Sequence, residues 1–177
     1  VPAQFDVRDR WYRDGSIRWL GVSFDAIYKQ GWPARYRLTW QSKEKPTAVK
    51  NPLTVEEDDD TVTVTTGPAR FVISKKTFRL FDAAWLDINK DGAFSDNEQL
   101  IRAAKGDGLR YENHTKTVFT AAHPNNRLRL LEVGPKRAIV AMDGWYESAN
   151  GEKECRHKTR LFFAQGSPTV KIKHTWI

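Results

Sequence analysis

The sequence predicts an all-β fold of antiparallel strands, and three observations carry that expectation. Thr61-Val62-Thr63-Val64-Thr65-Thr66 alternates polar and apolar residues at period two. Strand-like runs are punctuated by glycine- and proline-bearing turns, and the periodicity leaves room for at most one short helix.

Taken in order, Ser16-Ile17-Arg18-Trp19-Leu20-Gly21-Val22-Ser23-Phe24 is rich in β-branched and aromatic residues and follows an Asp14-Gly15 turn, and Tyr36-Arg37-Leu38-Thr39-Trp40 alternates again. In the first run Ile17 and Trp19 fall on one face and Leu20, Val22 and Phe24 on the other. A strand apolar on both faces belongs in a core, so Trp11 and Trp19 read as core or domain-interface residues rather than sugar-stacking platforms. A polar stretch follows, from Lys43 through Pro46 and Pro52 to the carboxylate run Glu56-Glu57-Asp58-Asp59-Asp60. It can contribute little core, which places a domain boundary near residue 54 and divides the chain into 1–54 and 55–177. The alternative is one long loop inside a single domain.

Beyond that stretch, the Thr61 to Thr66 run, a Gly67-Pro68 turn and Ala69-Arg70-Phe71-Val72-Ile73-Ser74 make a hairpin. The C-terminal half repeats the theme, with runs over 127–133, 137–146, 155–163 and 169–177. Gly134-Pro135, Asn150-Gly151 and Gly166-Ser167-Pro168 separate them, which predicts a four-stranded antiparallel meander. No repeat of fixed length occurs, which argues against solenoids and propellers.

The composition excludes several classes. Of 177 residues 40% are hydrophobic and 12% aromatic, too many for a disordered chain. No run approaches the roughly 18 to 20 consecutive apolar residues of a membrane-spanning helix. Cys155 is the one cysteine, so an internal disulfide, a zinc ribbon and an iron–sulfur site are all excluded. The chain opens on Val1-Pro2 without an initiator Met and closes on a strand run, and it is expected to be a fragment of a longer polypeptide whose leader would lie out of view.

One motif carries metal chemistry. In residues 87–98, Asp87, Asn89, Asp91, Ser95 and Glu98 occupy the first, third, fifth, ninth and twelfth positions of a twelve-residue loop with Gly92 sixth, the spacing of an EF-hand calcium loop. Calcium takes six to eight hard oxygen ligands. Asp87, Asn89 and Asp91 would give side-chain oxygens, Ala93 its carbonyl, Ser95 a water-mediated contact and Glu98 a bidentate carboxylate. Phe94 stands where an aliphatic residue is usual. Phe78-Arg79-Leu80-Phe81 before the loop suits a strand as well as a helix, and residues 106–108 stop any helix after it, so a β-framed loop with a structural calcium ion is expected. The alternative is an ordinary Asp-Gly turn with solvated carboxylates.

Several short words together resemble a known family. They are Gln4-Phe5-Asp6, then Trp11 followed by Asp14-Gly15-Ser16-Ile17-Arg18-Trp19, then Thr66-Gly67-Pro68, Gly134-Pro135-Lys136-Arg137-Ala138, and Gly166-Ser167-Pro168 leading to a basic strand that ends His174-Thr175. The chain resembles the exo-rhamnogalacturonan lyase-like proteins. That resemblance implies the end of a small RIFT-type β-barrel in 1–54, the N-terminal part of a β-sandwich in 55–177, and an α/α toroid downstream. Two residues separate Trp11 from Asp14, where a tighter spacing is expected of the family.

Lyases that act on uronate polysaccharides by β-elimination need a cation or donor at the substrate carboxylate and a base for the proton lost. His114, His123, His157 and His174 lie apart from any paired-carboxylate or nucleophile signature and read as surface or strand residues, so the catalytic residues are not identified. No nucleophile elbow, phosphate loop or dinucleotide fingerprint is present. The net charge of +7 permits a polyanionic partner. Arg8, Arg10, Arg13, Arg18, Arg156, Lys158, Arg160, Lys171 and Lys173 alternate along strands, either as a ligand-binding face or simply as a solvated one. Without a helix-turn-helix or RNP-like element, nucleic acid is not the expected partner. Asn113-His114-Thr115 matches the glycosylation acceptor pattern.

The resemblance implies a non-catalytic β portion of a secreted or periplasmic enzyme acting on acidic pectic polysaccharide, with the catalytic domain downstream in cis and this portion alone inactive. The alternative is a calcium-dependent carbohydrate-binding or adhesion module with no enzyme attached.

Overall fold

The computed structural model describes residues 1–27, 35–39, 47–104 and 108–177. Contacts divide the chain into two compact units, Val1–Lys50 and Asn51–Ile177.

The first unit contains a hairpin of β1 (Ala3–Arg10) and β2 (Ile17–Phe24), antiparallel from Ala3↔Phe24 to Arg10↔Ile17 with an irregularity at Asp9. Asp14 makes the turn, its Oδ1 accepting from the Ser16 N–H at 3.0 Å and the Ser16 hydroxyl at 2.7 Å. Trp11 and Trp19 are 53% and 62% exposed, so among the described residues neither lies in a core. A two-stranded sheet has no second layer of its own to cover them; the Arg18 guanidinium instead lies 4.7 Å over the Trp11 ring. The strand expected over 36–40 is not seen over 36–39, and Trp40 lies outside the described residues. Tyr36 packs on Phe24 at 4.8 Å between ring centroids, and its hydroxyl accepts from the Ile27 N–H at 2.5 Å.

The second unit is built of two antiparallel sheets. One is a sequential meander of β3 (Thr54–Glu57), β4 (Thr61–Thr65), β5 (Ala69–Ser74), β6 (Ala83–Leu86) and β7 (Gln99–Arg102). The carboxylate run starts within this sheet. Glu56 and Glu57 belong to β3, and Asp58 closes the β3–β4 turn, its Oδ1 accepting from the backbone N–H groups of Asp60 and Thr61. Those bonds, with the Thr61 hydroxyl, hold the Asp58 carboxyl below the usual range. Residues 78–81 are neither helix nor strand; Phe78 is buried.

The other sheet holds β8 (Arg110–Glu112), β9 (Val118–Thr120), β10 (Arg127–Val133), β11 (Arg137–Ser148), β12 (Lys153–Ala164) and β13 (Lys171–Trp176). Its order is β13-β12-β11-β9-β8, with β10 also paired to β11. At twelve residues β11 is long enough to serve two partners on one edge, β10 along its first half and β9 at Glu147 and Ser148. β10 to β13 form the expected meander.

Alternation decides which side chains enter the core. Val62, Val64, Phe71 and Ile73 from the first sheet meet Val140, Met142, Leu161 and Phe163 from the second, all buried. Phe71 and Phe163 approach to 5.4 Å between ring centroids. Burying each such side chain stabilises the unit by about 1.5–3 kcal/mol before conformational entropy is charged against it.

Candidate functional site

Residues 87–98 hang between β6 and β7, where the Asp87 N–H donates to the Pro68 carbonyl at 2.8 Å. Within the loop Asp87 accepts from the N–H groups of Asp91 and Gly92 at 3.1 and 3.0 Å. Asn89 Oδ1 accepts from Asp91 N–H at 2.9 Å, and Asp91 Oδ1 from Ala93 N–H at 2.7 Å. Gly92 has φ of +81°, a left-handed value that suits glycine. The first half of the donor set is thus wound into one turn. Phe94 is covered by the Arg70 guanidinium at 4.7 Å, which gives this unusual aromatic a packing role.

Glu98 is held differently. It ends the short 3-10 turn Asp96–Glu98 and is buried. One carboxylate oxygen accepts from the N–H groups of Ile88 and Asn89, and the other from the Ser95 N–H and hydroxyl. The two Ser95 bonds, then those from Asn89 and Ile88, lower its pKa. A carboxylate has about four acceptor positions, so all four are taken and Glu98 closes the loop by gripping its start. Among the described residues no group of three or more His, Cys, Asp or Glu is arranged to hold a metal ion.

The basic residues of β12 and β13 share one face. Register sets Lys158 opposite Asp143 and Thr175, and Arg160 opposite Ala141 and Lys173. On the other edge of β11, Arg127 lies opposite Asp143 and Arg129 opposite Ala141, and Arg129 is ion-paired to Asp143. Lys158, Arg160, Lys173 and Thr175 line a small pocket of about 130 Å³. Trp145, 42% exposed and opposite Arg156, belongs to the same face.

On the inner face, alternation buries two histidines that sequence alone had read as surface or strand residues. His157 has no exposed surface and His174 is half-buried. Asn126 fixes the direction of their hydrogen bonds. Its Nδ2 donates to the Ala121 and His123 carbonyls at 2.5 and 2.8 Å, so its Oδ1 must accept from His157 Nε2–H at 3.1 Å. His157 Nδ1 then accepts from the Thr159 hydroxyl at 3.4 Å, Thr159 Oγ1 from His174 Nδ1–H at 2.8 Å, and His174 Nε2 from the Tyr146 hydroxyl at 3.1 Å. Every link is satisfied with both rings neutral. Burial, together with neighbouring His174, pushes the His157 pKa down to about 4, while burial raises Tyr146 to about 12. His123 pairs with Glu147 at 3.2 Å, and His114 is exposed. Asn113, in the acceptor pattern, accepts from Thr115 and Thr117 N–H groups and donates to Glu154 at 3.3 Å.

A family model for the central β-sandwich domain of PcRGLX-like proteins matches residues 53–177. The chain belongs to that family. Among curated proteins, none matches it. The match covers both sheets, the 87–98 loop and the basic face, and it establishes the rhamnogalacturonan lyase-like resemblance.

Three of the recurring words lie in turns at one end of this PcRGLX-like sandwich. Thr66 Oγ1 donates to the Ser167 carbonyl at 2.7 Å, and Gly166 N–H to the Thr66 carbonyl at 2.6 Å. Leu53 N–H donates to the Pro135 carbonyl at 2.9 Å and Gln165 N–H to the Lys136 carbonyl at 2.9 Å. The words are therefore stitches between turns. Sequence reasoning singled out Arg156, Lys158, Arg160, Lys171 and Lys173 but missed Arg127, Arg129 and Trp145, whose place on the same face depends on register. Among the described residues no helix is long and apolar enough to cross a membrane.

Proposed function

We propose that residues 53–177 are the non-catalytic sandwich of a secreted or periplasmic rhamnogalacturonan lyase-like protein that cleaves an acidic pectic polysaccharide by β-elimination. The chemistry resides in a further domain of the same polypeptide, and Val1–Lys50 is the end of a RIFT-type barrel. The observation that carries this reading is the family match over residues 53–177, which takes in both sheets. The histidines support it: His157 and His174 spend their ring nitrogens on an internal hydrogen-bond chain, and a base for proton abstraction needs an open position beside its substrate. A polymeric glycan does not cross a membrane, which favours a location outside the cytoplasm.

The test is an ultraviolet assay for unsaturated uronate released from rhamnogalacturonan, run on the parent polypeptide beside the 177-residue chain. Activity is expected in the parent alone. Silence in both would sink the enzyme reading and favour the calcium-dependent binding or adhesion module, for which the exposed basic face is the favouring observation.

In the same reading Asp87, Asn89, Asp91, Ala93, Ser95 and Glu98 hold a structural calcium ion. The hydrogen-bonded turn already gathers Asp87, Asn89 and Asp91, and Glu98 would exchange some of its four donors for the ion. Calcium at about 100 times its dissociation constant should stabilise the sandwich by about 2.7 kcal/mol. A melting curve with calcium and with chelator measures this. The Asp87→Ala, Asp91→Ala pair should abolish the shift, and no shift in the unaltered chain would leave the loop a turn.

A further inference from the structure

We infer that the outer face of the six-stranded sheet, centred on Lys158, Arg160 and Lys173, binds a carboxylate-bearing polysaccharide; this rests on the proposal above that the protein acts on acidic glycans. Arg160 and Lys173 are directly opposite one another on neighbouring strands. Like charges in that position repel and destabilise a sheet. Among the described residues no ion pair is formed by Lys158, Arg160 or Lys173, and the one carboxylate opposite Lys158, Asp143, is held by Arg129. The face thus carries a repulsion that folding does not relieve and that a bound anion would.

The geometry suits a polymer rather than a single ion. Neighbouring strands place cations about 4.8 Å apart, and alternate residues along one strand place them about 6.6 Å apart, so charge repeats in two directions. Arg160 offers a planar fork that can grip a carboxylate through two hydrogen bonds, and the lysines add point charges. Thr175 is short, and the pocket opens beside it with a hydroxyl among the three cations. Trp145 adds an exposed aromatic surface for the apolar side of a sugar ring. A nucleic acid could use cations and an aromatic too; the lyase-like family membership is what favours the glycan.

The experiment titrates the 177-residue chain with galacturonate oligomers, with the same oligomers methyl-esterified to remove their charge, and with single-stranded DNA of matched charge. The acidic oligomers are expected to bind, about tenfold or more weaker as salt rises from about 50 to about 200 mM, and the esterified ones not at all. The variant Lys158→Ser, Arg160→Ser, Lys173→Ser should lose about tenfold or more in affinity while melting no lower than the unaltered chain. Lys76→Ser with Lys116→Ser, also exposed cations but on other strands' turns, should bind normally. Unchanged binding by the triple variant, DNA binding as tight as the glycan's, or no glycan binding would each overturn the inference. A parent that releases unsaturated uronate while the sandwich binds nothing would defeat this site and leave the functional reading standing. Binding with a silent parent would do the reverse.

Discussion

Gly144 sits where β11 passes Asn126, and a methyl group there would lie 1.5 Å from Asn126 Oδ1 and 3.0 Å from His157 Nε2. Gly144→Ala must push Asn126 off His157, combining overpacking with a buried, unsatisfied donor. It should cost about 2–5 kcal/mol, read from the urea midpoint. The same hydrogen-bond chain makes stability depend on pH. The unfolded chain protonates a histidine near pH 6.5, whereas folded His157 does so only near 4. Between those values the unfolded state binds more protons, so the contribution is whole above about pH 6.5 and is lost as pH falls towards 4, on the order of 3 kcal/mol in all. Denaturant midpoints at neutral and acid pH measure the loss, and the imidazole resonances isolate its source. His157 should remain uncharged at pH 5, and an ordinary titration there would refute the tautomer chain.

Turns carry the next level of organisation. Thr66 is fully buried with its hydroxyl on the Ser167 carbonyl, so Thr66→Val keeps the shape, removes the bond and should cost about 1–2 kcal/mol by equilibrium unfolding. This scale also shows what could be read beforehand. β4, β5 and β10 to β13 were legible because each alternates and is bounded by a Gly or Pro turn. β6 and β7, Ala-Ala-Trp-Leu and Gln-Leu-Ile-Arg, were not, since four residues give too little period and their pairing is set by neighbouring strands. The strand and turn within the acidic run were not legible, because five carboxylates read as solvated chain, although Asp58 uses its charge to accept the N–H groups of a tight turn. For the candidate sites, spacing revealed the 87–98 donors, but nothing in it says that Glu98 would spend all its acceptor positions on the loop itself. The alternation that turns Arg156, Lys158 and Arg160 outward also turns His157 and Thr159 inward, so that signal was present and unread.

For the whole molecule, the second unit contains its own core, both sheets and all three turn stitches, and should fold without the first. A chain of residues 51–177 is expected to unfold in one cooperative transition, by circular dichroism and tryptophan fluorescence alike; non-coincident transitions would show that the division at Lys50 is not a folding boundary. The stitch from Thr66 to Ser167 spans 101 positions. Contacts that distant make folding slow, because the loop must close before its reward is collected. On a ribosome adding about 5–20 residues each second, the meander of β3 to β7 would wait about 3–12 s before all of β12 emerges to cover Val62, Val64, Phe71 and Ile73. Uncovered strands of that kind invite pairing between nascent chains, and the five carboxylates just ahead of β4 then act as gatekeepers, repelling another copy until the second sheet arrives.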